Sequence, residues 1–283
     1  MDYNTEHRLK VYAAKMRGLI IDGVYKAQSG HPGGSLSCTD IFAYLYGEAM
    51  RVDPANPQDP NRDRFVLSKG HCAPALYAAL ALRGFFAPEE VAKLRQFQSM
   101  LQGHPCMTET PGVDMSTGSL GQGIAAAVGM ALAGKLDDKD YRVYSILGDG
   151  ELQEGQVWEA LMAGAHFKLD NLTAFIDRNG LQIDGPNEEV MSLGSVADKV
   201  RAFGWHVIEI DGHDFAQIES AVAEAKTTTG KPTMILAKTH KGKGVSFMED
   251  QVGWHGAAPK TDQYEIAMAE LQAAVAALEA SPA

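Results

Sequence analysis

Three cysteines in 283 residues, Cys38, Cys72 and Cys106, are odd in number and far apart. They make a disulfide framework unexpected, and no CxxC pair offers a zinc site. Positive charge is in deficit: 25 Lys and Arg face 36 Asp and Glu, for a formal net charge of −11. Nucleic acid, whose binding depends on clustered Lys and Arg, is therefore not expected as a partner. An anionic ligand is not excluded, because backbone N–H groups or a bound metal can hold a phosphate. Long apolar runs are also missing. The longest, IAAAVGMALAG from Ile124 to Gly134, is too short and too rich in Ala and Gly to span a bilayer. The opening MDYNTEHRLK carries charges of both signs and no apolar centre, so no signal peptide is expected. A cytoplasmic protein without membrane partners is the expectation.

The composition, 45% hydrophobic and 22% charged, is ordinary for a globular chain. A helical pattern runs from Thr5 to about Ala27 and stops at SGHPGGS, where Gly and Pro interrupt it. A second helix is expected from Thr39 to Ala49, then a Pro-rich loop, VDPANPQDPNRDR. RFVLS reads as a short strand, SKGHCAPALYAALALRG as a turn entering an Ala-rich helix, and Pro88 as the opening of another helix. A helix of small residues, Ile124 to about Leu136, follows TGSLGQG. The chain then alternates. RVYSILG, LTAFID, HVIEID and TMILAKT read as strands, Gln156–Phe167 and Phe215–Thr227 as helices, and Gln263 to about Leu278 as the last helix. Such alternation predicts an α/β fold, an open, mainly parallel sheet with helices on both faces, in a single domain over 1–283.

Ligands of open parallel sheets bind beyond the carboxyl ends of the strands. Two predicted strands end in oxygen-bearing side chains there: ILGDGELQEG delivers Asp149, and LTAFIDRNGLQIDG delivers Asp177 and Asn179. Asp149 and Asn179 lie 30 residues apart, one strand–helix–strand unit, which puts them on adjacent or nearby strands. A carboxylate and an amide oxygen alone make a poor metal cage, but they suit Mg²⁺ when a diphosphate completes its octahedral shell. An Asp149 helix cap and an Asn179 turn explain the same two residues equally well. TGSLGQG precedes a helix and offers free N–H groups to a phosphate, although a tight turn is the plainer reading. Four histidines sit in Gly- or Pro-bounded loops: His31, His71, His104 and His255. A neutral imidazole both donates and accepts, near working pH. In KTHKGKG, His240 and its lysines either steer a phosphate or form a solvated loop, with the balance toward the loop.

The segments SGHPGGS, SKGHCAPALY, QGHP, TGSLGQG, GDGELQEGQVWEA, DRNGLQIDG, KTHKGKG and WHGAAP occur in one order over residues 30 to about 260. Together they resemble the N-terminal, diphosphate-binding part of transketolase. Arg178 stands where the general motif has a second Asn. The resemblance implies thiamine diphosphate with Mg²⁺ (or Ca²⁺ or Mn²⁺) as cofactors on a thiamine diphosphate-binding fold. It implies that Asp149, the Asn179 side chain and the Leu181 carbonyl hold the metal, and that Gly150 lies against the diphosphate. His71 and His255 would approach the cofactor, which Gly118, Ser119 and Leu120 would also contact; many relatives have Pro at the position of Ser119. His31, His104 and His255 would face the sugar. Glu154 and Glu159 would lie at a contact between subunits near a proton path.

The implied reaction transfers a two-carbon ketol unit from a ketose phosphate to an aldose phosphate, as in the pentose phosphate pathway. In the family, a Glu on a pyrimidine-binding domain activates the cofactor. No stretch after WHGAAP remains for that domain. The expectation is a split transketolase whose pyrimidine-binding and C-terminal domains lie on a separate chain, in an α2β2 heterotetramer. Alternatives are a relative acting on a branched or sulfonated sugar, a deoxyxylulose phosphate synthase and a non-catalytic cofactor-binding module. A zinc hydrolase is more remote.

Overall fold

The computed structural model describes residues 1–281. Helix α1 (Tyr3–Ala27) buries Leu9, Ala13, Met16, Ile20 and Val24 at helical spacing. Asp2 caps it by accepting from Thr5 N. Gln28 closes it in the left-handed region. The Gly-Pro stretch that follows ends α1 but also starts structure: Pro32 sits in the first turn of α2 (Pro32–Ser37), where no backbone donor is needed. The helix expected from Thr39 to Ala49 is α3 (Thr39–Tyr44), and its last turn widens into a π-helical turn, Leu45–Ala49. Strand β1 (Arg64–Leu67) leads through a 3₁₀ turn, Gly70–Cys72, into α4 (Ala73–Arg83). The segment opened by Pro88 is a short 3₁₀ helix, Pro88–Lys93.

Helix α5 (Gln122–Leu136) precedes β2 (Val143–Gly148), and α6 (Gly155–His166) separates β2 from β3 (Leu172–Arg178). The small residues of α5 serve close packing: a Cβ on Gly123 would lie 2.4 Å from the Ser68 backbone at the end of β1. A hairpin of β4 (Leu181–Gln182) and β5 (Gly185–Pro186), then α7 (Asn187–Val190) and α8 (Val196–Ala202), were not foreseen from the sequence. They are short, and their apolar residues are too few to show a period. Strand β6 (His206–Asp211), α9 (Phe215–Thr227), β7 (Thr233–Lys238) and α10 (Thr261–Ala280) complete the chain.

The five-stranded sheet has the order β1-β2-β3-β7-β6 and is parallel throughout. Side chains alternate between two cores. Phe65, Leu67, Tyr144, Ile146, Phe175 and Ile235 pack against α1, α3, α4 and α9. Val66, Val143, Leu147, Leu172, Ile176 and Leu236 pack against α5 and α6 on the other face. Because both faces are covered, the central strands read as continuous apolar runs rather than alternating ones. Among the described residues, no helix is long and apolar enough to cross a membrane.

A candidate active site at the carboxyl edge of the sheet

β2 and β3 are hydrogen-bonded neighbours, with Gly148 beside Asp177. The carboxyl ends therefore present Asp149 and Asn179 side by side, as the strand–helix–strand spacing predicts. Asp149 is buried. Its oxygens accept the N–H of Gly150 at 2.8 Å and of Gly180 at 2.5 Å. Burial pushes its carboxyl above the usual range, and the nearby Asp177 adds to this. Asp149 caps the 3₁₀ turn Gly150–Gln153, as the cap reading expects, and also ties the β2 loop to the β3 loop.

Asn179 Oδ1 accepts the N–H of Leu181 at 3.1 Å, and its Nδ2 donates to Asp177 at 3.1 Å. Asp177 is fully buried and also accepts from Lys69 Nζ, Ser37 Oγ and Thr239 Oγ1. This carboxylate joins four segments. The Leu181 carbonyl accepts from Lys241 Nζ at 3.1 Å. The same nitrogen donates to His255 Nδ1 at 3.0 Å. Lys241 is buried, which corrects the solvated-loop reading of KTHKGKG at this residue. Lys238 is exposed and Lys243 half-exposed, as that reading expects. His240 pairs with Asp250 at the surface.

Three of the loop histidines form a cluster: ring centroids are 5.1 Å apart for His31 and His71, 5.2 Å for His71 and His255, and 5.5 Å for His31 and His255. His104 lies 6.4 Å from His31. Desolvation pushes His31 down to about 4 and His255 to about 3, with the charges of His71 and Lys241 respectively as the next causes. His104 is lowered too, by burial and Arg95. The His31 and His255 imidazoles are neutral at physiological pH. Gly118 has φ +146°, and a Cβ there would lie 2.9 Å from the His104 ring, so only glycine lets this loop lie against that histidine.

A cavity of about 360 Å³ is lined by His31, His71, His255, Gly118, Leu120, Asp149, Gly150, Glu154, Asn179 and Leu181, with Lys69, Glu151 and Lys241. Its size is that of a small-molecule site. Ser119, exposed, and His104 do not line it. Glu154 and Glu159 are exposed on this chain. Cys72 is buried. Glu151 is the acid that sequence reasoning passed over. It is buried and accepts from Ser68 Oγ at 2.5 Å, Gly121 N at 2.9 Å and Gly148 N at 3.0 Å. Lys69 was missed as well; its only signal was its place beside the loop histidine in SKGH.

The donor set fits a hard cation with an anionic ligand. The buried Asp149 carboxylate is met by backbone N–H groups and the Asn187 amide rather than by a cationic side chain. Polar atoms left without partners include His31 Nδ1 and Asn187 Oδ1. No cluster of three His, Cys, Asp or Glu side chains among the described residues has metal-holding geometry. A cation here would draw on a carboxylate, an amide and a carbonyl oxygen and share phosphate oxygens, the habit of Mg²⁺ rather than of zinc.

The family described as the transketolase thiamine diphosphate binding domain matches residues 9–274. The chain is 46% identical over 271 residues to one of the subunits of the apulose-4-phosphate transketolase of Phocaeicola vulgatus, covering 96% of each chain. It is 50% identical over 264 residues to the SqwG subunit of the 6-deoxy-6-sulfo-D-fructose transketolase of a Clostridium species, covering 93% of this chain and 96% of that one. Human transketolase is 45% identical over 249 residues, but the match takes in only 39% of its length. The crystal structure of Campylobacter jejuni transketolase superposes with a TM-score of 0.89 at 34% identity, over 98% of this chain and 46% of that one. The chain belongs to the transketolase family of ketol-transferring transferases, as its thiamine diphosphate-binding N-terminal part.

Proposed function

We propose that this chain is the diphosphate-binding subunit of a split, cytoplasmic transketolase, and that it holds thiamine diphosphate through Mg²⁺ bound by Asp149, Asn179 and the Leu181 carbonyl. The observation that carries this reading is the pairing of the Asp149–Asn179 oxygens with the cluster of loop histidines around one cavity. Gly150, Gly118, Ser119 and Leu120 form the loops that would lie along the cofactor.

The bound cofactor supplies the nucleophilic carbon that carries the two-carbon unit. The chain's own groups orient and stabilise. His31 and His255, kept uncharged by burial, offer hydrogen bonds to a ketose's hydroxyl and carbonyl oxygens without bringing charge. Lys241 donates to His255 Nδ1, which selects the tautomer with its proton on Nε2. His71 lines the same cavity, and the His104 ring lies 6.4 Å from that of His31. Such preorganised donors, aimed where negative charge develops, are the usual source of rate in acyl- and ketol-type transfers.

The pyrimidine-binding domain, with the acid that activates the cofactor, belongs on a separate chain, and an α2β2 assembly would bury Glu154 and Glu159. Two relatives of matching length are named as subunits, which supports a partner of this kind. The unpaired cysteines agree with a reducing, cytoplasmic setting. The test is assay of the chain alone and with its co-purified partner, using xylulose 5-phosphate and ribose 5-phosphate. Turnover only in the complex is expected; robust ketol transfer by the lone chain would reject the split arrangement. A second reading, action on a branched or sulfonated sugar, is favoured by the substrates in those relatives' names. Activity with such sugars and none with pentose phosphates would select it.

A further inference from the structure

The hairpin of β4 and β5 has a consequence for the site. It returns the chain so that Asn187 N donates to the Gly180 carbonyl at 2.9 Å. Gly180 N in turn donates to Asp149 Oδ2. Asn187 and Asp149 thus hold opposite ends of one residue in the β3 loop. The Asn187 side chain is 5% exposed, and its amide donates to the Asp149 carboxylate. With Nδ2 turned to Asp149, Oδ1 points the other way and has no partner.

A buried amide oxygen without a donor is costly and rare, and in a native protein it marks a missing water, ion or ligand. This oxygen lies beside Gly150: a Cβ built there would lie 3.7 Å from Oδ1. Gly150 is part of the cavity wall. Other polar atoms nearby are spoken for, since Gln182 Oε1 already accepts from Gln153 Nε2 at 2.6 Å.

We propose that Asn187 is a positioning residue of the divalent-cation site, its NH₂ bracing Asp149 as a ligand and its Oδ1 accepting a hydrogen bond from water in the cation's shell. Mg²⁺ keeps several waters when it binds through one or two carboxylates and a phosphate, and outer oxygens that hold such waters tune affinity strongly. The inference rests on the cation site described under the proposed function and adds a residue to it.

The test is calorimetric titration of the purified chain with MgCl₂ in the presence of thiamine diphosphate, beside the melting temperature of the metal-free chain. Asn187→Leu keeps the volume and removes both polar atoms. It is expected to weaken Mg²⁺ binding at least about tenfold, the scale of outer-sphere losses, while the metal-free melting temperature stays level or rises. Asn187→Asp retains an oxygen and is expected to bind Mg²⁺ within severalfold of the wild type. If Asn187→Leu binds Mg²⁺ as the wild type does while Asp149→Ala binds none, the inference fails and the cation site stands. Weaker binding together with a lower metal-free melting temperature overturns it as well, in favour of a packing role. A wild-type chain that takes up no Mg²⁺, or an Asp149→Ala chain that binds it unchanged, removes the cation site itself.

Discussion

The Lys241 nitrogen lies 3.0 Å from Nδ1 of His255, so a buried amine fixes which face of that imidazole carries its proton. The nearby positive charge, after burial, is the largest cause of the depressed His255 pKa. Replacing Lys241 with Met removes that cause and leaves burial and the smaller effects of His71 and His31. The His255 pKa should then rise from about 3 toward the ordinary histidine range, as read from histidine ring resonances in an NMR pH titration. An unchanged value would assign the depression to burial and the neighbouring His71 and His31.

Acid should unfold the isolated chain through its histidine cluster. His31 and His255 bind protons less readily when folded, at about 4 and about 3 against 6.5 for the free side chain. Between pH 6.5 and about 4 the unfolded chain therefore holds more protons, and stability falls as the pH drops. His71, His104, Arg95, Cys72 and Lys241 also act on these two rings. Asp149 and Glu151, whose carboxyls are raised by burial, work in the opposite sense, each losing stability as pH rises through its raised value. A His31→Asn, His255→Asn double variant should show a shallower loss of denaturation midpoint over pH 6.5 to 4.

Glu151 should matter out of proportion to its distance from any reacting atom. Its carboxylate gathers Ser68, Gly121 and Gly148, and so holds the ends of β1 and β2 against the start of α5. Glu151→Ala strands three buried donors. Each unsatisfied donor costs about 1–3 kcal/mol, so a loss of at least about 2 kcal/mol is expected even after partial relaxation, read by urea denaturation. Thiamine diphosphate affinity should fall with it, because the Gly118–Leu120 loop loses its anchor.

Lys69→Met leaves Asp177 buried without its cation. Burial works against the charge of Lys69, and Asp177, helped by Cys38 and Cys72, more than offsets it, holding its pKa well above the usual lysine range. Removing one partner of a buried pair costs about 3–5 kcal/mol. The double change Lys69→Met with Asp177→Asn should recover part of that loss, and a thermodynamic cycle over the four proteins measures the coupling.

Long elements were legible in the sequence because their periods were long. Phe215–Thr227 and the four strands beginning at RFVLS, RVYSILG, LTAFID and TMILAKT stand where apolar patterning places them. The Asp149–Asn179 adjacency was legible as well, because a parallel sheet turns a sequence interval into a spatial one. What stayed hidden depends on who meets whom across the fold. Lys241 reads as one more lysine in a basic loop, and nothing local reports that Gly33 packs against its stem. Glu151 looks like a helix-start acid until Ser68 and Gly121 arrive from other segments. The helix at Pro32 was obscured because the same Gly-Pro stretch that ends one helix begins the next.

The hydrogen bond from Gly180 to Asp149 joins the two oxygen-bearing loops before any guest arrives. Such a preorganised cradle spares an incoming ion the entropy of loop ordering. Loading should then be a capture rather than a folding event: heat stability should climb smoothly with ligand concentration, with the loop backbones of the empty and filled chains superimposing.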